Sequence, residues 1–231
     1  MSQLGAANLD VRQTLLLLLS DDDSYVRWNA AFALRRLGIA DPEVRQALLL
    51  LLNDDNGYVR GSAALALGKL EVTNHDERQD LLLLLSDDNN DVRGSLALTL
   101  GQLEAADPEV RQALLLLLGD NDHNVRGRAA LALGQLGIAD PEVQQVLLLL
   151  FSDDNSYVRE RAAYASGQLG IVDSEVRQAL LLLLGDNDHD VRGSAANALE
   201  KLAEQSDNKI VLPLVDWIEQ HQQTEYVGYG I

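Results

Sequence analysis

Hydrophobic residues along the chain follow two alternating helical patterns, and each pattern returns every 33 residues. The first pattern, helix A, runs from a capping residue into a block of leucines, as in Asp41-Pro42-Glu43 followed by Leu48 to Leu52. Asp41 suits an N-cap, and Pro42 suits the first helical position, where its missing N–H costs nothing. The same capping position recurs at Asn8, Asp41, Asn74, Asp107, Asp140 and Asp173.

The second pattern, helix B, follows a short acidic turn and carries the dipeptide Val-Arg in its first turn. At 100° per residue, Val59, Ala63, Ala66 and Leu70 share one side, which we expect to be buried. Small alanines on that side allow helices to approach closely. The N-cap position of helix B recurs at Asp23, Asn56, Asn89, Asp122, Asn155 and Asp188.

Two helices per repeat predict an all-α fold, a right-handed α-solenoid of six 33-residue hairpins with a C-terminal capping helix. We place the array in residues 1–203, the capping helix at 206–223 and a mobile tail at 224–231. Ankyrin repeats share the period, but their Thr-Pro-Leu-His signature is absent. The expected repeats are 8–40, 41–73, 74–106, 107–139, 140–172 and 173–205.

With Asp-x-x-Val-Arg followed by Ala-Ala-x-Ala-Leu-Gly, the chain resembles HEAT-like repeats, specifically the short type found in phycobilisome lyases. The resemblance covers residues 8–203 and implies that helix B lines a concave surface. It also implies one alternative function, the attachment or removal of a bilin on a phycobiliprotein. Because such repeats serve many unrelated tasks, the resemblance predicts architecture more strongly than function.

The composition narrows the possible partners. A net charge of −18, from 36 acidic and 18 basic residues, repels nucleic acid and anionic membranes and favours a basic or neutral protein partner. The absence of cysteine excludes disulfides and thiolate metal sites and fits a reducing cytosol. The start of the chain lacks the features of a signal peptide, and every leucine run is shorter than the roughly 20 residues of a membrane span. We therefore expect a cytoplasmic protein.

Most arginines belong to two repeating rows, which we expect to pair with a capping Asp of their own or the next repeat. The acidic turns that begin at Asp21, Asp54 and their equivalents favour either capping or a docking edge for a basic partner. The stretch from Asp186 to Asp190 lacks the glycine and glutamate of a calcium loop. No catalytic constellation is present in the sequence, so we expect no enzyme activity, no cofactor and no metal.

A partner is expected to bind helix B opposite its buried side, where the residue type changes from repeat to repeat. Trp and Tyr are favoured anchors at interfaces, although these side chains could instead pack between neighbouring B helices. Glycines within helix B, such as Gly61 and Gly68, are interpreted as packing positions. The candidate partner-binding residues are Tyr25, Trp28, Phe32, Arg36, Tyr58, Leu65, Leu98, Leu131, Tyr157, Glu160 and Tyr164.

The leucine blocks of helix A pose a separate question, because consecutive leucines cover the whole helix circumference. Leu49, Leu50 and their equivalents cannot all face helix B, so we expect them to wedge between neighbouring A helices. The alternative is an exposed apolar stripe that supports self-association. The sequence as a whole predicts a non-catalytic protein-interaction scaffold, and a sensor array of a larger signalling protein is the other alternative.

Overall fold

The computed structural model describes residues 3–39, 41–70, 75–103, 107–171 and 173–205, and all regular structure in these ranges is helical. The expected all-α repeat fold is thereby confirmed for the described residues. The predicted capping helix and tail, 206–231, lie outside them. The helices are α1 (Gln3–Leu18), α2 (Ser24–Leu37), α3 (Pro42–Leu51), α4 (Gly57–Lys69), α5 (His75–Leu82), α6 (Asn90–Leu100), α7 (Pro108–Leu117), α8 (His123–Leu136), α9 (Pro141–Leu150), α10 (Ser156–Leu169), α11 (Ser174–Leu183) and α12 (His189–Gln205).

Asx residues begin most of these helices, as the sequence predicts. The Asp41 carboxylate accepts hydrogen bonds from the backbone N–H groups of Glu43 and Val44, both at 3.0 Å. Such a cap satisfies backbone donors that the first turn leaves without helical partners. The confirmed N-caps are Asp23, Asp41, Asn56, Asn89, Asp107, Asp140, Asn155 and Asp173.

Two features of the A helices differ from the expected pattern. The expectation that Asn8 caps the first helix is wrong, because α1 already begins at Gln3 and Asn8 lies inside it. Ala6 and Ala7, both strong helix formers, carry the helix through this position. In the third copy, the α-helix stops at Leu82 and continues as a short 3₁₀ segment, Leu83–Ser86.

In the compact unit formed by residues 1–132, the B helices pack on one another in chain order, α2 on α4 and α4 on α6. The predicted buried side is confirmed, since Val59, Ala63 and Ala66 are fully buried and Leu70 is nearly so. Helix A packs on the B helix of its own hairpin, α1 on α2 and α3 on α4. Burial of these small and aliphatic side chains is the main favourable contribution to folding in this unit.

In the compact unit formed by residues 133–231, α10 packs on α12, α9 on α10 and α11 on α12. The two B helices approach so closely that a Cβ atom at Gly167 would lie 2.7 Å from the Cα atom of Ala198. This approach requires glycine, and it confirms the packing interpretation there. The division into two compact units does not test the predicted repeat boundaries, which stay predictions.

Ion pairs link α2, α4, α6 and α10 to the turn of the next repeat. Arg60 donates from Nε and Nη2 to the Asp87 carboxylate, both at 2.7 Å, and from Nη1 to the backbone oxygen of Asp54 at 2.9 Å. One guanidinium therefore fastens its own turn to the following turn with charge-assisted hydrogen bonds. The same link joins Arg27 to Asp54, Arg93 to Asp120 and Arg159 to Asp186.

These links correct the expected pairing for helix B. Its arginines bind the turn Asp two residues before the next N-cap, whereas Arg12 and Arg78 of helix A do contact the capping residues Asp41 and Asp107. The hydrogen bond from Arg93 lowers the pKa of Asp120, outweighing the opposing effect of burial. For Asp87, burial raises the pKa, but the hydrogen bonds from Arg60 and Asn89 together hold it below its usual value.

Candidate functional site

Three aromatic side chains of the candidate surface lie together on α2. Tyr25, Trp28 and Phe32 are three and four residues apart, so helical geometry places them on one side. The ring centroids are 5.6 Å apart for Tyr25 and Trp28 and 6.2 Å apart for Trp28 and Phe32. Tyr25 is 67% exposed and Phe32 40% exposed, while Trp28 is half-buried. The cluster is packed internally, yet its outer rings face solvent.

Two grooves border this cluster. A groove of about 280 Å³ lies between α2 and α4, and Tyr25, Trp28 and Tyr58 form most of its wall. A larger groove of about 650 Å³ lies between α1 and α2, and its lining includes Tyr25, Phe32 and Arg36. Tyr25 borders both grooves, so a ligand seated on this ring could extend into either one. Concave, mostly apolar surfaces of this size are typical binding sites.

Neither α2, which carries the cluster, nor α4, which forms the other side of the smaller groove, contains an acidic residue. The sequences of α2 and α4 hold three basic residues in their last turns, Arg35, Arg36 and Lys69. None of the three forms an ion pair with another described residue, and Arg36 and Lys69 are exposed. Cations in a last turn also complement the helix dipole. The C-terminal ends of the two helices are therefore basic, whereas the turns that precede them carry the exposed carboxylates of Asp22 and Asp55.

The remaining candidates of the first unit, Leu65, Leu98 and Leu131, are half-buried. The sequence predicts a shallow apolar groove along them and interprets the glycines of helix B as packing positions. A Cβ atom at Gly61 would lie 3.1 Å from Ser95 Oγ, and one at Gly94 would meet Arg128, which supports the packing interpretation. The next helix B fills that space, because a position without a side chain lets its neighbour approach. Each of these leucine side chains is therefore only partly exposed.

In the second unit, the candidate tyrosines already have cationic neighbours. The Arg161 guanidinium lies 5.0 Å from the ring centroid of Tyr157, and Arg161 Nε lies 3.6 Å from a Glu160 carboxylate oxygen. Lys201 Nζ lies 5.6 Å from the ring centroid of Tyr164. Arg161 therefore lies close to both the Tyr157 ring and the Glu160 carboxylate, and the Tyr164 ring contacts a lysine of α12. Both rings are half-buried.

The expected wedge between A helices is wrong for one position of the leucine block. Leu50 is 68% exposed, and its equivalents are exposed to a similar degree, while Leu49 is half-buried. Leu50 lies about 200° around the helix axis from the buried Leu48, so it points away from helix B. The exposed positions are Leu17, Leu50, Leu83 and Leu116 in the first unit, and Leu149 and Leu182 in the second.

The acidic turns do not form the simple docking edge that the sequence allowed. The side chains of Asp54 and Asp87 are only 6% and 7% exposed, because arginines bind them. Exposed charge comes instead from the next residue, since Asp55 is 92% and Asp88 96% exposed.

A cluster of possible metal ligands lies at the start of α12. Asp188, His189 and Asp190 place one ligand atom each within 4.8 Å of one another. Asp188 accepts the backbone N–H of Asp190 at 2.9 Å, as an N-cap does, so helix capping accounts for its position. His189 and Asp190 are exposed.

Sequence reasoning places Arg35 opposite the buried side of helix B and counts Arg35 and Lys69 as basic residues outside the two arginine rows, but only Arg36 is among the candidate residues. It misses that α2 and α4 carry no acidic residue, because the acidity of the whole chain hides this. A charge count made helix by helix would have found it.

Comparison with known proteins places the repeats in a family. The family model described as HEAT repeats matches residues 11–101, 79–167 and 145–219. No similar protein was found among curated sequences. The fold is similar to that of an engineered protein from a structural genomics consortium, with a TM-score of 0.59, 24% identity and coverage of 88% of this chain and 100% of that chain.

Two further solved structures share the fold. A designed armadillo repeat protein in complex with the peptide (KR)4 has a TM-score of 0.54 and 18% identity, covering 82% of this chain and 98% of that one. A mutant of Kap121p has a TM-score of 0.68 and 17% identity, covering 83% of this chain and 23% of that one. In the described parts of the chain, no helix is both long and apolar enough to cross a membrane.

Proposed function

This chain belongs to the HEAT-repeat family, and from that premise we propose that it is a non-catalytic scaffold that binds a protein segment on the helix-B face of its first unit. The HEAT and armadillo repeat fold generally serves as a non-enzymatic scaffold. The observation that carries the proposal is the aromatic cluster of α2 together with Tyr58 of α4. Tyr25 and Tyr58, 67% and 65% exposed, flank a groove backed by Trp28.

Aromatic side chains in this setting are efficient anchors. Each ring buries a large area on binding while few rotatable bonds become fixed. The exposed rings of Tyr25 and Tyr58 would otherwise remain in contact with water. A partner side chain inserted between them would be enclosed on two sides, with Trp28 forming the floor.

The cations on the same helices indicate the chemistry of the partner. Arg36 and Lys69 are exposed, and α2 and α4 carry no carboxylate to balance them. We infer that the bound segment contains apolar residues beside Asp or Glu. The designed armadillo protein was solved with a basic peptide, whereas the cations of α2 and α4 favour an acidic one. The basic partner suggested by the net charge belongs on another face.

The proposal extends the surface from the aromatic cluster along Leu65, Leu98 and Leu131. The proposed surface does not include Tyr157, Glu160 and Tyr164 of the second unit, which stay predictions. The rings of Tyr157 and Tyr164 already contact Arg161 and Lys201. The family match and the structural relatives give no support to bilin handling or to a sensor array. The cytoplasmic location likewise stays a prediction.

A peptide selection tests the proposal, because the recovered sequences reveal the chemistry that the surface prefers. Random 12-residue peptides displayed on phage are selected against the full chain, and the recovered peptides are measured by fluorescence anisotropy. We expect peptides that combine Asp or Glu with an apolar residue. The double variant Tyr25→Ala/Tyr58→Ala should weaken them at least tenfold, about 1.4 kcal/mol.

Two further variants separate the anchors from the charges. Arg36→Glu/Lys69→Glu should shift selection toward lysine-rich peptides, because it reverses the local field. Gln46→Ala, an exposed change on helix A, is the matched control and should leave affinity unchanged. Peptides that bind the tyrosine variant as tightly as the natural chain would contradict the proposed face, and basic peptides insensitive to Arg36→Glu/Lys69→Glu would contradict the proposed polarity.

A further inference from the structure

A second surface of the first unit, on the A helices, carries four leucines at its most exposed positions. Leu17, Leu50, Leu83 and Leu116, here called the leucine row, are 69%, 68%, 71% and 61% exposed. Single exposed leucines are common on protein surfaces. Here, however, the same position is leucine in every A helix, whereas the position three residues later changes from Ser20 to Asn53 and Gly119.

Acidic residues flank the leucine row on both sides. Seven residues before each leucine stands an exposed carboxylate, and five residues after most of them stands another. The preceding line lies about two helical turns, or about 10 Å, before the leucines, and the following line lies in the turn just after each helix A. The preceding line is Asp10, Glu43, Asp76 and Glu109, and the following line is Asp22, Asp55 and Asp88.

Four of these seven carboxylates have a basic neighbour among the described residues, and three do not. Glu43, Asp55 and Asp88 each contact an arginine, and Glu109 lies 3.8 Å from His75. The carboxylates of Asp10, Asp22 and Asp76 have no ionic partner among the described residues. The arginines of helix A are half-buried, and Arg12, Arg45 and Arg78 bind acceptors of the next repeat. An exposed glutamine lies between each leucine and the preceding acid, at Gln13, Gln46, Gln79 and Gln112. The surface is thus an apolar ridge between two negative borders.

We propose that the leucine row binds a basic amphipathic helix of another protein. Such a helix presents one apolar stripe with cations on both flanks. With its side chains it is about 10–12 Å wide, so a helix seated on the leucines would place flanking lysines or arginines over both acidic lines. This surface is separate from the aromatic face, and its partner has the opposite charge.

Charge also argues against the other occupants. A second copy of the chain, with a net charge of −18, would oppose its own acidic lines to those of the first. An anionic membrane surface would be repelled in the same way. A basic helix gains both apolar burial and electrostatic attraction.

The test uses a defined synthetic probe. A 21-residue helical peptide with leucines along one stripe and lysines on both flanks is labelled for fluorescence anisotropy, and a second peptide carries glutamate in place of every lysine. We expect the lysine peptide to bind the full chain with micromolar affinity and the glutamate peptide not to bind. Binding should weaken severalfold between 50 and 300 mM salt, because exposed charges are screened.

Two variants then assign the binding to this surface. Leu50→Gln/Leu83→Gln/Leu116→Gln should reduce the affinity at least tenfold, and circular dichroism checks that it stays folded. Asp10→Asn/Asp22→Asn/Asp76→Asn, which leaves every leucine in place, should reduce both the affinity and its salt dependence. Gln46→Ala/Gln112→Ala is the matched control and should bind as the natural chain does. Gln79 is left in place because its Nε2 donates to Glu109 of the acidic line.

Several outcomes would overturn the proposal. Equal binding of the lysine peptide by the leucine variant would show that the row is not used, and equal binding of both peptides would remove the role of charge. Sedimentation could instead reveal a dimer of the natural chain that the leucine variant abolishes, which would assign the row to self-association. Co-sedimentation with vesicles of phosphatidylcholine and phosphatidylserine, lost in the leucine variant, would assign it to a membrane.

Discussion

Replacing Asp87 by Ala should destabilise the first unit strongly, because Asp87 holds two successive repeats together. Its carboxylate accepts two hydrogen bonds from Arg60 at 2.7 Å and one from the backbone N–H of Asn89 at 2.9 Å. The change removes all three acceptors at once. Asp88 provides the matched control, since it contacts the same guanidinium at 3.3 Å but is 96% exposed.

The magnitude follows from burial. The Asp87 and Arg60 side chains are only 7% and 14% exposed, and breaking a buried ion pair typically costs about 3–5 kcal/mol, because the remaining charge loses its partner. Arg60 keeps its hydrogen bonds to the backbone oxygens of Asp54 and Asp55, so we expect the lower end, about 3 kcal/mol. Asp88→Ala should leave the free energy of unfolding nearly unchanged.

Urea denaturation followed by far-ultraviolet circular dichroism at pH 7 measures both variants. In a repeat array, a weakened link between neighbours should also broaden the transition. The double variant Arg60→Ala/Asp87→Ala completes a thermodynamic cycle, and we expect a coupling energy of about 2 kcal/mol. If Asp87→Ala unfolds at the same urea concentration as Asp88→Ala, the inferred role of the ion pair is wrong.

Three further outcomes are expected. Arg93 and Arg159 hold the pKa of Asp120 and Asp186 below the usual value. Below about pH 4 the unfolded chain therefore binds more protons than the folded one, and stability should fall as the pH drops through the lower, folded-state pKa. A melting temperature that stays constant between pH 5 and 2.5 would contradict this. Gly193→Ala should stabilise the second unit by about 0.5–1 kcal/mol, since the added methyl group has no atom within 4 Å and alanine favours helix. Gly167→Ala should instead destabilise it by about 1–3 kcal/mol, because the methyl group would lie 2.7 Å from Ala198 Cα, and urea unfolding of the two variants side by side distinguishes them.

Local sequence signals predicted where helices begin and which side of helix B is buried. Asp41 and Asn56 cap their helices because a short side-chain acceptor reaches the first free N–H groups, an interaction that needs only neighbouring residues. Val59, Ala63 and Ala66 are buried because their spacing matches the helical period. Asn8 shows the limit of such signals, since a capping residue does not end a helix that good helix formers extend past it.

The candidate surface was predicted less well. Tyr25 and Phe32 are exposed as expected, but Trp28 is half-buried, and the space beside Gly61 is filled by Ser95 of the next repeat. The sequence could not supply this contact, because it depends on how far α6 approaches α4. The prediction of a basic partner used the charge of the whole chain and stays a prediction. A binding face responds to the charge that surrounds it, and the two proposed surfaces differ in that charge.

The sequence by itself determined the repeating helical hairpins, their caps and the buried stripe of helix B, because these follow from spacing and side-chain chemistry within one repeat. Only the tertiary structure decided which partner each arginine takes and which leucine of a block faces water. Those outcomes depend on the distance and rotation between neighbouring helices. Asp54 and Asp55 show the difference, since adjacent aspartates of one turn become a buried ion-pair partner and an exposed surface charge.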